Sequence, residues 1–214
     1  MIEFKEIFSE VKAYLEKYGG EHDDRFTFRK RSEHIWRVFN WAKRLIESCT
    51  ENIDRDALLI AALFHDIGYR FKRTQDHAAQ GALIFREYAQ SKNYEKAQAG
   101  FIEYLIRNHS SKNMLLADDT PLELVILLEA DILDETGALG ILWDAMVCGS
   151  AGAQSYTEAY NHILTYSCGI TENPMRTAKA KEFWEDKQKL AREFVSRLKF
   201  DLAIDESTGE RCEN

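Results

Sequence analysis

Apolar residues recur along this chain at steps of three and four, the spacing that brings side chains to one face of an α-helix, and seldom at the alternating step of a strand. The pattern predicts an all-α fold. A first helix is expected from about Ile2 to Tyr18, with Phe4, Ile7, Phe8, Val11 and Leu15 on one face and Gly19-Gly20 as its stop. A second should start with Ser32 as N-cap and carry Ile35, Val38, Phe39, Ala42, Leu45 and Ile46. Asp54 can cap a third, from Arg55 to about Asp66, which is apolar all round from Leu58 to Phe64 and therefore belongs at the centre of a bundle, with Gly68 closing it. Two more are expected over His77–Ala89 and Tyr94–Asn108. Thr120-Pro121-Leu122-Glu123 then sets an N-cap, a proline at the first helical position and a glutamate two residues later. The helix it opens runs through Leu124, Val125, Leu127, Leu128 and Ile132 and ends near Gly137. Asn173-Pro174 starts a long final helix through Phe183, Trp184, Leu190, Phe194 and Leu198.

Nothing along the chain marks a repeat, a low-complexity stretch or a linker, so a single-domain helical bundle over residues 1–204 is expected, with the acidic residues 205–214 as a frayed tail. A chain of 214 residues can bury roughly 70% of its unfolded surface, so it needs neither metal nor disulfide merely to fold. Cys49, Cys148, Cys168 and Cys212 are widely spaced and form no C-x-x-C pair, which fits idle thiols in a reducing compartment. The opening Met1-Ile2-Glu3-Phe4-Lys5-Glu6 has no apolar core of a signal peptide, and the longest apolar run, Ala57 to Phe64, falls far short of the roughly 20 residues that span a bilayer. A cytoplasmic location and no membrane partner are the expectation. The formal net charge of −8 argues against nucleic-acid polymers as partners.

Candidate chemistry begins where the third helix ends. His65 and Asp66 arrive side by side after a wholly apolar run, and a buried carboxylate beside an imidazole is costly unless it is hydrogen-bonded, ion-paired or bound to a cation. His34 lies on the core-facing side of the second helix if Val38 does, although a histidine there is equally served by ordinary core hydrogen bonds. Asp131 sits in Leu127-Leu128-Glu129-Ala130-Asp131-Ile132-Leu133-Asp134, where apolar neighbours carry a carboxylate inward. Each alone is weak evidence. One His, then His-Asp, then Asp, each on a different helix at an apolar position, make a more specific combination.

Three segments carry a resemblance: His34-Ile35-Trp36-Arg37-Val38, Leu63-Phe64-His65-Asp66-Ile67-Gly68, and Ala130-Asp131-Ile132-Leu133-Asp134-Glu135-Thr136-Gly137-Ala138. Together they resemble the HD-domain superfamily of metal-dependent phosphohydrolases, most of all its small stand-alone bacterial and archaeal hydrolases, over about residues 31–142. The resemblance implies a helical bundle with a metal site in its core, held by His34, His65, Asp66 and Asp131. Two imidazoles and two carboxylates suit Mn, Ni, Co, Zn, Fe or Mg as the divalent ion and leave two octahedral positions for water and a phosphate oxygen. Superfamily members with two metals follow the order H, HD, H, H, D, which His77 and His109 complete here; for these two a second-metal, a substrate or acid, and a structural role all stay open. One ion per chain is expected rather than two. His65-Asp66-Ile67-Gly68-Tyr69-Arg70 departs from the H-D-x-G-K form of signalling relatives, which sets the chain apart from cyclic dinucleotide phosphodiesterases.

An anionic substrate fits the local charge. Seven basic residues and one acidic residue lie between Arg25 and Arg44, and Arg70, Lys72 and Arg73 follow the His-Asp pair. Arg37, one turn from His34, is the preferred phosphate contact, with Arg70 and Lys72 as further candidates. Asp134, one turn beyond Asp131, can orient a ligand or act as a base, although Asp131, Asp134 and Glu135 together demand basic neighbours. His22 and His162 fall outside the motif. The reading is a phosphohydrolase, monomeric or homodimeric, that cleaves an ester or anhydride of a small phosphorylated molecule such as a nucleotide; an HD-type di-iron oxygenase and a non-catalytic nucleotide-sensing domain are the alternatives.

Overall fold

The computed structural model describes residues 2–23, 25–69 and 76–204, all helix and connection with no strand among them beyond one isolated bridge between His22 and Lys30. The helices are α1 (Phe4–Lys17), α2 (Arg31–Glu47), α3 (Arg55–Phe64), α4 (His77–Ser91), α5 (Lys96–Asn108), α6 (Leu122–Asp134), α7 (Ala138–Ser150), α8 (Tyr156–Ser167) and α9 (Ala178–Asp201), with a short 3₁₀ turn at Lys112–Leu116. Among the described residues no helix is long and apolar enough to cross a membrane. The expected tail from 205 on, and Arg70, Lys72 and Arg73, lie outside the described residues.

Two compact units emerge. The first holds the chain up to Asp134 together with Pro174–Lys181; the second holds Glu135–Asn173 and the chain from Glu182 on. In the first, α3 is the centre: every residue from Ala57 to Phe64 is buried, as an all-round apolar helix must be, and Asp54 caps it by accepting from the Ala57 N–H at 2.9 Å. Against it pack α1, α2, α5 and α6, while α2 also packs along α6 and α4 along α5. In the second unit, Ile141, Tyr160, Ile163, Ala191 and Val195 form a small core between α7, α8 and α9. Neither α7 nor α8 is among the expected helices, although Ser155 caps α8, its hydroxyl oxygen accepting from the Glu158 N–H at 3.2 Å.

Three helix starts differ from expectation for physical reasons. Ser32 lies inside the first turn of α2, with Lys30 at the N-cap; the backbone N–H and hydroxyl of Ser32 both donate to Glu21, whose buried carboxylate does the capping. Thr120 donates its hydroxyl to the Met114 carbonyl, and Glu123 accepts the Asp54 N–H, so the predicted box is spent on neighbouring segments while the turn after Pro121 still forms. The final helix begins at Ala178 and not just after Pro174, because Glu129 in α6 accepts the backbone N–H groups of Arg176 at 2.6 Å and Thr177 at 2.7 Å.

Backbone packs on backbone around the end of α3. A Cβ on Gly68 would lie 1.9 Å from the His77 carbonyl oxygen, and one on Gly20 would lie 1.7 Å from that of Tyr69. Glycine at these two positions lets α4 and the loop before α2 close onto the turn that carries His65 and Asp66.

Glu129 yields a stability prediction. Its carboxylate is fully buried, which pushes its pKa up, and it is held by two backbone N–H groups and the Thr177 hydroxyl. Glu129→Ala leaves those N–H donors unpaired and should cost about 3 kcal/mol in urea unfolding, within the range for orphaned buried donors.

Candidate functional site

The packing of α2 between α3 and α6 brings their polar residues together at one place in the first unit. His34, His65 and Asp66 each offer a ligand atom, and these lie within 4.8 Å of one another. Asp131 joins through His34, with its Oδ1 3.3 Å from the His34 Nε2. His34, His65 and Asp66 are almost wholly buried, and the Asp131 side chain is 14% exposed.

Hydrogen bonds fix which nitrogen each imidazole presents. The Nδ1 of His65 donates to the Ala62 carbonyl at 2.8 Å, and the Nδ1 of His34 donates to Asp134 at 2.8 Å. The Nε2 atoms are thereby left as the positions that hold either a proton or a metal ion, and they face each other at 3.2 Å. Two imidazole lone pairs that close repel unless a proton or a cation sits with them, and Asp66 and Asp131 stand beside the pair. This donor set fits a divalent ion. Asp134 orients the His34 ring through Nδ1.

A second group adjoins the first through Asp66. The Asp66 Oδ1 is 3.4 Å from the His109 Nε2 and 3.6 Å from the His77 Nε2, and these two nitrogens are 3.1 Å apart. His109 is fixed by Nδ1 donation to the Ile106 carbonyl at 2.7 Å. The Ser110 hydroxyl lies 3.0 Å from the His77 Nε2 and 3.2 Å from the His109 Nε2. Asp66, His77 and His109 form a donor group of their own, which shares only Asp66 with the first.

Each of the three carboxylates also meets a cation. Arg31, its side chain 8% exposed, donates to the Asp66 Oδ2 at 2.8 Å. Arg37 grips Asp134 with two donors, Nε to Oδ1 at 2.8 Å and a terminal nitrogen to Oδ2 at 3.1 Å. Lys112, in the 3₁₀ turn, donates to Asp131. The basic neighbours demanded by Asp131 and Asp134 are thus Lys112 and Arg37. Arg37, expected on phosphate, has two donors engaged by Asp134, and Asp134 has both oxygens engaged by His34 and Arg37.

Charge follows from this arrangement. Burial raises the pKa of Asp66, but the charges of His65 and Arg31 outweigh it and hold the group well below the ordinary carboxylate range. Burial likewise opposes ionisation of Asp131 and Asp134, and Lys112 with His34 for the first, His34 with Arg37 for the second, keep both pKa values low. His65 is pushed down to about 4 by burial, assisted by His109 and His34, and His77 is lowered mainly by burial. His34 moves the other way: burial lowers it, yet hydrogen bonds to Asp131 and Asp134 and the charge of Asp66 raise it to about 9.

The sequence missed Arg31, Lys112 and Ser110. Arg31 was one of seven basic residues with nothing to single it out, and Lys112 and Ser110 follow a helix end without periodic signal. His22 pairs in the isolated bridge with Lys30, and His162 packs on Tyr166 in the second unit.

The raised His34 pKa has a measurable consequence in metal-free protein. A histidine whose folded pKa lies above its unfolded value contributes stability that is complete below about 6.5 and lost as pH rises through about 9. Urea unfolding of metal-free protein should therefore lose on the order of 3 kcal/mol across that window. His34→Gln should flatten the difference.

Comparison with known proteins adds the family. The HD domain model matches residues 31–136. No curated protein matches the chain. Among solved structures, an HD-superfamily hydrolase from Bacillus thuringiensis is similar at 20% identity with a TM-score of 0.70, over 94% of this chain and 97% of that one. YpgQ of Bacillus subtilis, solved in complex with ADP, is similar at 20% identity and a TM-score of 0.61, over 91% of this chain and 97% of its own. A protein described as a predicted HD superfamily hydrolase from an uncultured Thermotogales bacterium is 24% identical with a TM-score of 0.60, over 92% of each chain. These likenesses carry the fold. The segment matched by the family model contains His34, His65, Asp66, His77, His109, Asp131 and Asp134, and with it this chain belongs to the HD-domain superfamily.

Proposed function

We propose that the protein is a metal-dependent phosphohydrolase that cleaves a phosphate ester or anhydride of a small molecule, with a nucleotide as the favoured substrate class. The observation that carries the reading is the facing pair of Nε2 atoms on His34 and His65, 3.2 Å apart beside Asp66 and Asp131, with each Nδ1 engaged elsewhere. His34, His65, Asp66 and Asp131 would hold the divalent ion, which when bound would supply an activated water and polarise a phosphoryl oxygen.

The chain's own residues do the rest. Asp134 holds the His34 ring through Nδ1 and is itself held by Arg37. Arg31 fixes Asp66, and Lys112 presents an ammonium group at Asp131, its side chain 43% exposed and within reach of an entering anion. Because Asp66, Asp131 and Asp134 each already meet a cation, positive charge brought by a bound ion is left to attract phosphate. His77, His109 and Ser110 line the adjoining side, where an imidazole or hydroxyl can orient the substrate or protonate the departing oxygen. The ADP bound to YpgQ supports a nucleotide as ligand chemistry.

The shared carboxylate of the Asp66, His77 and His109 group favours a second reading, an HD-type di-iron oxygenase. Oxygen uptake by iron-loaded protein would support it.

Phosphate release is the direct test. Wild-type protein supplied with Mn, Co, Ni or Mg should release phosphate or pyrophosphate from at least one member of a nucleotide series. His65→Ala and Asp66→Ala should fall to background while retaining a helical circular dichroism spectrum. Undiminished turnover in either variant contradicts the proposal.

A further inference from the structure

The two donor groups at the site are unequal in charge. His34, His65, Asp66 and Asp131 include two carboxylates, whereas the group formed by Asp66, His77 and His109 has none of its own. It borrows Asp66, and Asp66 is the carboxylate that Arg31 grips at 2.8 Å.

Arg31 is also tied to the second group from another direction. Its guanidinium carbon lies 3.9 Å from the centre of the Tyr69 ring, and that ring stacks on His77 with centroids 4.2 Å apart and planes inclined by 23°. Arg31, Tyr69 and His77 therefore form three layers, and the loop closes where the His77 Nε2 faces the Asp66 Oδ1 at 3.6 Å. One buried guanidinium fixes the shared carboxylate and, through an aromatic ring, the plane of His77. Its charge is permanent, because an arginine does not deprotonate in this setting.

We propose that Arg31 is the positioning residue that limits this site to one divalent ion. Its guanidinium stands in for a second cation on Asp66: it takes up the charge that a bridging carboxylate would offer and repels a further dication from the place between His77 and His109. Those two histidines are then left for the substrate. This inference rests on the reading of His34, His65, Asp66 and Asp131 as metal ligands.

The test is a titration of purified protein with Mn²⁺, followed by calorimetry and by electron paramagnetic resonance, on the wild type, Arg31→Gln, Arg31→Lys and His77→Ala. Wild type should bind one Mn²⁺ per chain with the spectrum of an isolated ion. Arg31→Gln should bind a second, its affinity tightened about tenfold or more over any second event in the wild type, with the exchange-coupled signal of paired ions. Arg31→Lys keeps the charge and should return the count to one. A merely structural arginine would lower the melting temperature of Arg31→Gln and leave the count at one, which overturns the proposal while the single-ion reading stands. Two ions in the wild type also overturn it. No Mn²⁺ bound by the wild type would instead remove the metal reading itself. Should Arg31→Gln not fold, His77→Ala decides: an unchanged count and affinity support the proposal, and the loss of an ion overturns it.

Discussion

Asp66 is a full negative charge just past the end of a helix that is buried and apolar from Ala57 to Phe64, and the organisation of the first unit turns on what meets that charge. Arg31 meets it directly, and the imidazoles of His34, His65, His77 and His109 surround it. To bring them there, the loop before α2 must press onto the turn after α3, which requires glycine at position 20, and α4 must close on the same turn, which requires glycine at position 68. Glu21 anchors that loop by capping the first turn of α2, one residue from Arg31. A buried charge thus dictates backbone approach as well as side-chain chemistry.

The pattern of ion pairs extends this logic to the whole site. Asp66 with Arg31, Asp131 with Lys112 and Asp134 with Arg37 are three carboxylates matched by three cations, and they range from a sealed pair to one whose lysine is open to solvent. The buried pair can only position.

Much of this was legible in the sequence, because strong periodicity and polar residues in apolar company are local signals. The all-round apolar α3 at the centre, Asp54 as its cap, and His34, His65, Asp66 and Asp131 converging from three helices all follow from such signals. What escaped is what depends on partners distant in the chain. Ser32 and Thr120 have the composition of caps, yet tertiary partners, Glu21 and Met114, claim their hydroxyls. Nothing in the sequence singles out Glu129, which is the acceptor that delays the start of α9. Arg31 and Lys112 are ordinary basic residues until the fold sets them against Asp66 and Asp131. α7 begins without a proline or a side-chain cap, and both it and α8 bury only a narrow face, so neither gave a strong periodic signal, although Ser155 and Glu158 do mark the start of α8.

The central claim is that the facing Nε2 atoms of His34 and His65 exist to hold a divalent ion. Anomalous scattering from crystals of protein loaded with Mn²⁺, measured at the manganese edge, tests it most directly. The account predicts a peak within bonding distance of the His34 and His65 Nε2 atoms and of carboxylate oxygens from Asp66 and Asp131. A manganese peak elsewhere, or none while His34 still pairs with Asp131, would contradict it.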